Sequence, residues 1–192
     1  MRIVVTGGAG FVGSQVAEYF VRKNNEIIIC DNLSRVQLLG KSVADPLYNW
    51  NYLRKNHDNV NLLKVDITDF QALEEASKGA DIIIHAAAQV AVTTSLADPR
   101  TDFTINALGT FNVLEVARMN DSILVFCSTN KVHGENVNAI PVEEKPTRYS
   151  FSDPKYAQGI AEDFDLDMFA LLPVSDASFA ADQERCRHGL GH

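Results

Sequence analysis

The chain has 192 residues and 21.1 kDa, with 46 % hydrophobic and 22 % charged residues and a net charge of −8. At about 150 residues per domain this is one domain or one and a fragment, able to bury a core without disulfides. The acidic balance argues against a nucleic-acid partner, which would need a basic face to meet phosphates, and no apolar run approaches the roughly 20 residues that span a bilayer. The N-terminus reaches glycine at Gly7 without the apolar stretch of a signal peptide, and Cys30, Cys127 and Cys186 have no metal or redox spacing. Cys30 and Cys127 end apolar runs and are expected to be small buried hydrophobes in a reducing cytoplasm.

In chain order, the β-branched run Arg2–Thr6 predicts a strand and Phe11–Lys23, apolar at Phe11, Val12, Val16, Tyr19 and Phe20, predicts a helix. Glu26–Cys30 predicts a second strand. Asn32–Asn59 is polar and turn-rich, with a short helix expected around Tyr48–Asn56. Val60–Asp66 reads as a third strand and Asp69–Lys78 as a helix, capped by Asp69 and stopped by Gly79. Asp81–Ala88 is apolar throughout, as in a parallel strand covered on both faces. Pro99–Asn120 holds a long helix and Ser122–Ser128 a fifth strand. This alternation predicts an α/β fold, a Rossmann-like parallel sheet with helices on both faces. From Asn130 to Asp167 the chain is polar, carries Pro141, Pro146 and Pro154, and reads as extended loop. Met168–His192 changes composition again, with at most a short helix near Ser178–Arg187. The expected division is a cofactor-binding domain over 1–167 and an atypical tail over 168–192.

The strongest motif is Thr6-Gly7-Gly8-Ala9-Gly10-Phe11-Val12-Gly13, after a strand and opening a helix. Gly7, Gly10 and Gly13 allow a tight turn, close approach of a pyrophosphate and close helix–strand packing, and the helix N-terminus offers amides to the phosphate charge. Asp31, ending the next strand, is placed to meet the adenosine ribose hydroxyls. Its charge would repel a 2′-phosphate, which favours NAD over NADP, a preference moderated by Arg35. Asp66 and Ile67, ending the third strand, are expected near the adenine. Cys186, His188 and His192 could be drawn as a metal cluster, but a chain terminus gives them no fixed geometry, and no metal is expected.

Several segments together resemble the extended short-chain dehydrogenase/reductases, the family of nucleotide-sugar epimerases and dehydratases. They are Thr6–Gly13, Asp31-Asn32-Leu33-Ser34, Asp66-Ile67, His85-Ala86-Ala87-Ala88, Asn106 with Gly109-Thr110, and Ser128-Thr129. Gln89–Ser95, Ser128–Gly134, Thr147-Arg148-Tyr149 and Lys155-Tyr156 are similar to the branch that epimerises C2 of CDP-linked deoxyhexoses. The resemblance runs over roughly residues 1–167. It implies that bound NAD⁺ oxidises a sugar carbon to a ketone, that the keto-sugar turns over, and that the same cofactor returns hydride to the other face. It places Phe11, Val12, Asn32, Ser34, Arg35, Ala86, Ala87, Ala88, Gln89 and Asn106 at the cofactor. It gives Thr129 the catalytic role of bonding the reacting oxygen, and puts Thr93, Thr94, Ser128 and Asn130 on the substrate side. His133 is expected to be a solvated loop residue.

The family's catalytic Tyr-x-x-x-Lys is expected to be absent. Tyr149 is followed by Asp153 and Tyr156 by Ile160, and Phe151-x-x-x-Lys155 copies only the spacing. An ungapped register brings Pro173 to the family's Pro-Tyr, leaving Val174 and Ser178 at the Tyr and Lys positions. Neither can supply the acid/base pair, a contribution of typically 10²–10⁴-fold. The family's C-terminal substrate domain is also expected to be missing. Three expectations therefore stand together: an epimerase of CDP-linked sugars incomplete in this chain, a non-catalytic NAD-binding module joined to a partner, or an inactive remnant. Family members dimerise through the long helix and the helix bearing Tyr-x-x-x-Lys, so a homodimer through the first alone stays an open expectation.

Overall fold

Five apolar runs form one parallel sheet. Strands β1 (Arg2–Thr6), β2 (Glu26–Cys30), β3 (Val60–Leu63), β4 (Ile82–His85) and β5 (Ile123–Phe126) lie in the order β3-β2-β1-β4-β5. The computed structural model describes residues 1–35, 45–90, 92–129, 133–134, 136–161 and 163–165. In the centre Val5 pairs with Ile29 on one side and Ile84 on the other, and Val4, Val5, Ile28 and Ile29 are fully buried. Side chains alternate across the sheet, so one strand feeds two cores. Val4, Ile28 and Ile83 pack with Leu73, Val113 and Val116; Ile3, Val5, Ile27 and Ile29 pack with Ala17, Val21 and Leu53. Burial on both faces is what makes these runs continuously apolar.

The helices are α1 (Phe11–Val21), α2 (Tyr48–Asn56), α3 (Phe70–Ala76), α4 (Val92–Ala97), α5 (Pro99–Phe103) and α6 (Gly109–Asn120). Asp69 caps α3 by accepting from Ala72 N at 3.1 Å, and Asp98 caps α5 by accepting from Thr101 N at 3.1 Å. Between α5 and α6 the turn Thr104–Leu108 is wound wide, as a π-helix. No described helix is long and apolar enough to cross a membrane.

Several expectations change. The third and fourth strands stop at Leu63 and His85 rather than Asp66 and Ala88. Ala86 N still donates to Thr6 O at 3.1 Å, but the next residue of the neighbouring strand, Gly7, turns away at φ +69 and leaves Ala87 and Ala88 without a ladder partner. The long helix is α5, the π turn and α6 in succession, preceded by the unforeseen α4. Cys30 is buried, but Cys127 is exposed because it follows β5, an edge strand whose Ile123, Val125 and Phe126 are themselves exposed. Residues expected as loop form an antiparallel hairpin, β6 (Val142–Lys145) with β7 (Arg148–Phe151). Its two-residue turn, Pro146-Thr147, suits proline's fixed φ. The strands Val-Glu-Glu-Lys and Arg-Tyr-Ser-Phe bear too few apolar residues to betray a period of two. His133 is not fully solvated: it is half-buried with its ring edge-on to Phe164 at 5.7 Å.

The chain divides into two units, Met1–Cys127 and Ser128–His192. All five sheet strands belong to the first and the hairpin to the second. Asn130, Pro173, Val174, Ser178, Cys186, His188, His192 and the helix expected near 178–187 lie outside the described residues.

Candidate cofactor-binding site

The strand order reverses beside β1, whose next strand in sequence, β2, lies on one side and β4 on the other. Open α/β sheets bind ligands in the crevice beyond the carboxyl ends of strands at such a point. Here that crevice is a cleft of about 250 Å³ lined by the glycine-rich loop, the ends of β2 and β4 and the segment after β3.

Each glycine of the loop answers a steric demand. Gly7 N continues the sheet by donating to Cys30 O at 2.8 Å, and Gly7 then turns at φ +69. A Cβ there would stand 2.7 Å from both Ala86 O and Ala87 N, backbone atoms that cannot yield. Gly10 N closes the turn on Gly7 O at 2.9 Å, and a Cβ on Gly13 would collide with the same Gly7 carbonyl. The motif thus folds back on itself and seats α1 against the β1 end. Gly10 is the N-cap of α1 with no side-chain capping bond, and the first turn carries no acid. The first bond of the helix is Ser14 N to Gly10 O at 3.2 Å, so the amides of Phe11, Val12 and Gly13 precede its ladder. Phe11 and Val12 are exposed and line the cleft.

Two carboxylates stand at strand ends. Asp31 follows β2; its Oδ2 accepts from Ala9 N at 3.0 Å and its Oδ1 from Leu33 N at 2.8 Å. Each oxygen keeps a lone pair that can accept a ligand hydroxyl. Asp66 accepts from Asn32 Nδ2 at 2.7 Å, Thr68 N at 2.9 Å and Thr68 Oγ1 at 2.7 Å. Burial pushes its pKa up, but the bonds from Asn32 and Thr68 outweigh it and hold the group below the usual aspartate value. The next turn is anchored on α6. Asn112 Nδ2 donates to Ile67 O at 2.9 Å, and Gly109 lies so close that a Cβ would be 2.6 Å from Ile67 Cδ1.

After β4 the chain is held from the π turn. Asn106 Oδ1 accepts from Gln89 N at 2.8 Å, while its Nδ2 donates to Asp102 Oδ1 at 3.0 Å and reaches Gln89 O at 3.4 Å. Asp102 Oδ1 also accepts from Ser95 Oγ at 2.6 Å, tying in α4. Behind the cleft wall His85 is buried, its Nδ1 2.6 Å from Thr6 Oγ1 and its Nε2 3.0 Å from Thr110 Oγ1. Burial pushes the imidazole pKa down to about 4, so it is neutral at pH 7. Burial, and secondarily the charge of Asp31, pushes the Cys30 thiol up to about 12. Cys30 is therefore a thiol and no nucleophile.

The cleft gathers Gly7, Gly10, Phe11, Val12, Gly13, Asp31, Asn32, Ser34, Arg35, Asp66, Ile67, Ala86, Ala87, Ala88 and Gln89. Asn106 is not on its surface; its amide is spent on Gln89 behind the wall. Thr93 and Thr94 lie on α4 away from the lining, Thr93 exposed and Thr94 half-buried. Ser128 and Thr129 are exposed and open the second unit. Pro46, Leu47, Val65 and Ile105 line the cleft without having been singled out, because a lone apolar residue carries no motif. Contrary to the expected absence of the spacing, Tyr-x-x-x-Lys does occur once among the described residues, at Tyr19 in α1 and Lys23 in the turn after it. It is no catalytic pair: Tyr19 is 56 % exposed, outside the cleft lining, with Lys23 Nζ over its ring at 4.9 Å. Phe151 and Lys155 lie in β7 and a 3₁₀ turn, not on one helix, so their spacing brings nothing together.

The model of the NAD dependent epimerase/dehydratase family matches residues 3–159. The chain belongs to this family. Among epimerase relatives, the CDP-paratose 2-epimerase of Salmonella typhi is 34 % identical over 191 residues, covering 95 % of this chain and 51 % of that protein. The putative UDP-glucose 4-epimerase of Methanocaldococcus jannaschii is 37 % identical over 149 residues, 74 % of this chain and 42 % of that one. The chain thus spans about half the length of the relatives it matches. Among solved structures, UDP-glucose 4-epimerase of Thermus thermophilus in complex with NAD superposes with a TM-score of 0.54 at 34 % identity, covering 67 % of this chain and 38 % of that one. Pal from Bacillus thuringiensis gives a TM-score of 0.60 at 31 % identity, over 70 % and 41 %.

Proposed function

We propose that the cleft binds NAD and that the chain is the cofactor-binding part of a nucleotide-sugar epimerase acting at C2 of a CDP-linked deoxyhexose. The observation that carries the NAD reading is the loop Gly7–Gly13, bare of side chains where Cβ atoms would strike backbone and opening onto an uncapped helix start beside Asp31. The sugar chemistry rests on family membership and on the Salmonella typhi relative.

When bound, NAD⁺ supplies a hydride acceptor that can return the hydride. The chain's residues bind and orient. The amides of Phe11 and Val12 donate to the diphosphate. The free lone pairs of Asp31 accept the adenosine ribose hydroxyls, and its charge repels a 2′-phosphate. Asn32, Ser34, Arg35, Asp66 and Ile67 border the adenosine half; Ala86, Ala87, Ala88 and Gln89, steadied by Asn106, border the nicotinamide half. By resemblance to the family, Thr129 is assigned the hydrogen bond to the reacting sugar oxygen, and Thr93, Thr94, Ser128 and Asn130, the last outside the described residues, are assigned to the substrate. A buried free thiol at Cys30 agrees with a reducing cytoplasm.

A second reading, an NAD-binding module without turnover of its own, is favoured by one observation. Among the described residues the Tyr-x-x-x-Lys spacing occurs only at Tyr19, exposed on α1, and Lys23, in the turn beyond it, neither of them in the cleft lining.

Calorimetric titration of the full chain tests the cofactor reading. NAD⁺ is expected to bind with a micromolar constant and NADP⁺ at least about tenfold more weakly, a difference of about 1.4 kcal/mol. No heat with either nucleotide sinks it. Incubation with a CDP-linked deoxyhexose, followed by NMR of the sugar C2 configuration, separates the readings. An inverted C2 supports the epimerase, and an unchanged sugar beside intact NAD⁺ binding leaves the module.

A further inference from the structure

Helix α2 reaches the glycine-rich loop through one side chain. Asn49 Nδ2 donates to Ala9 O at 3.1 Å and to Gly10 O at 3.2 Å, one hydrogen for each carbonyl. The helix is fixed where it can do so. Leu53, one turn on and on the same side, is 1 % exposed in the core with Ala17, Val21 and Ile29, and Tyr52 OH donates to Glu18 Oε1 of α1 at 2.8 Å.

Two amides of the loop are already committed. Ala9 N donates to Asp31 and Gly10 N to Gly7 O. The amides next in line are those of Phe11 and Val12, and their direction depends on Gly10, a residue without a Cβ to restrict it. A trans peptide is planar, with its C=O and N–H pointing opposite ways. Gly10 O already accepts from Ser14 N at 3.2 Å, and the added bond from Asn49 holds it toward α2, which turns Phe11 N–H away from α2; Phe11 and Val12 line the cleft.

We propose that Asn49 is a positioning residue for diphosphate recognition: it locks the Ala9–Gly10 and Gly10–Phe11 peptide planes so that the first amides of α1 are preset for a nucleotide diphosphate. The proposal rests on the dinucleotide reading of the cleft and adds a residue outside its motif. It requires that Asn49 serve ligands carrying the diphosphate and leave the nucleoside alone.

The test uses the full chain with NAD⁺, ADP and adenosine as probes. Asn49→Ala is expected to weaken NAD⁺ and ADP by about tenfold, the worth of one well-formed hydrogen bond, with adenosine unchanged. Asn49→Asp keeps the size of the side chain but sets a carboxylate against two carbonyls, and is expected to lose at least as much, with a lowered melting temperature and a still cooperative melt. Asn49→Asp binding ADP like the unaltered chain overturns the proposal. So does an equal loss for all three probes, which marks a general disturbance of the cleft. Failure of both variants to fold makes Asn49 a structural residue and also overturns it. If the unaltered chain binds neither NAD⁺ nor ADP, the dinucleotide reading falls and takes this proposal with it. If it binds both and the two variants match it, this proposal alone falls.

Discussion

At Gly7 two costs coincide. Its backbone is left-handed, and a Cβ would also strike Ala86 and Ala87. Gly79 has the same φ of +69, but the nearest atom to its Cβ would be Arg2 Nη1 at 3.7 Å, the end of a flexible side chain. Gly79→Ala is thus expected to cost only backbone strain, about 1–2 kcal/mol, with NAD⁺ affinity kept. Gly7→Ala is expected to cost more and to abolish NAD⁺ binding; urea midpoints and titration of both variants check this. The motif glycines were readable because their spacing between a strand and a helix states a backbone requirement directly. Asn49 and Asn112 were not. Each acts on a carbonyl about 40 positions away, and an asparagine on a short polar helix or in a long one looks like any surface amide until the partner is seen.

Between elements, His85 joins β1 to α6 by bridging Thr6 and Thr110, and it does so as a neutral ring. Its folded pKa of about 4 lies below the ordinary 6.5, so over that window the unfolded chain takes up the proton and the folded chain does not. This contribution to stability is complete above pH 6.5 and is lost as the pH falls toward 4, by up to about 3 kcal/mol. Urea midpoints at pH 7 and pH 4.5 should differ more for the unaltered chain than for His85→Gln. Asp66, held below 3.8, loses its contribution only at lower pH, outside this comparison. The π turn is the other junction. Asn106→Ala removes the clamp on Gln89 without touching the cleft surface, and is expected to weaken NAD⁺ severalfold in the same titration. Element types in the sheet were legible from apolar runs, but their ends were not, because a parallel strand stops where its neighbour turns away. The hairpin Val142–Phe151 stayed hidden for a different reason. Its polar strands bury little, so no periodicity marks them.

For the whole molecule, every residue lining the cleft lies between Gly7 and Ile105, inside the unit Met1–Cys127 that also holds the five-stranded sheet. A chain ended at Cys127 is expected to bind NAD⁺ within about threefold of the full chain by calorimetry; complete loss would show that residues beyond Cys127 help to build the cleft. The sheet's order has a further consequence during synthesis. Its central strand is the first to leave the ribosome, yet Arg2 meets Asp81 only 79 positions later, when β4 arrives. At about 5–20 residues per second that interval is on the order of ten seconds. Throughout it β1 has an unpaired hydrogen-bonding edge, and Val4 lacks its cover from Val113 and Val116. The nascent chain is therefore most open to aggregation in the interval before β4 is made.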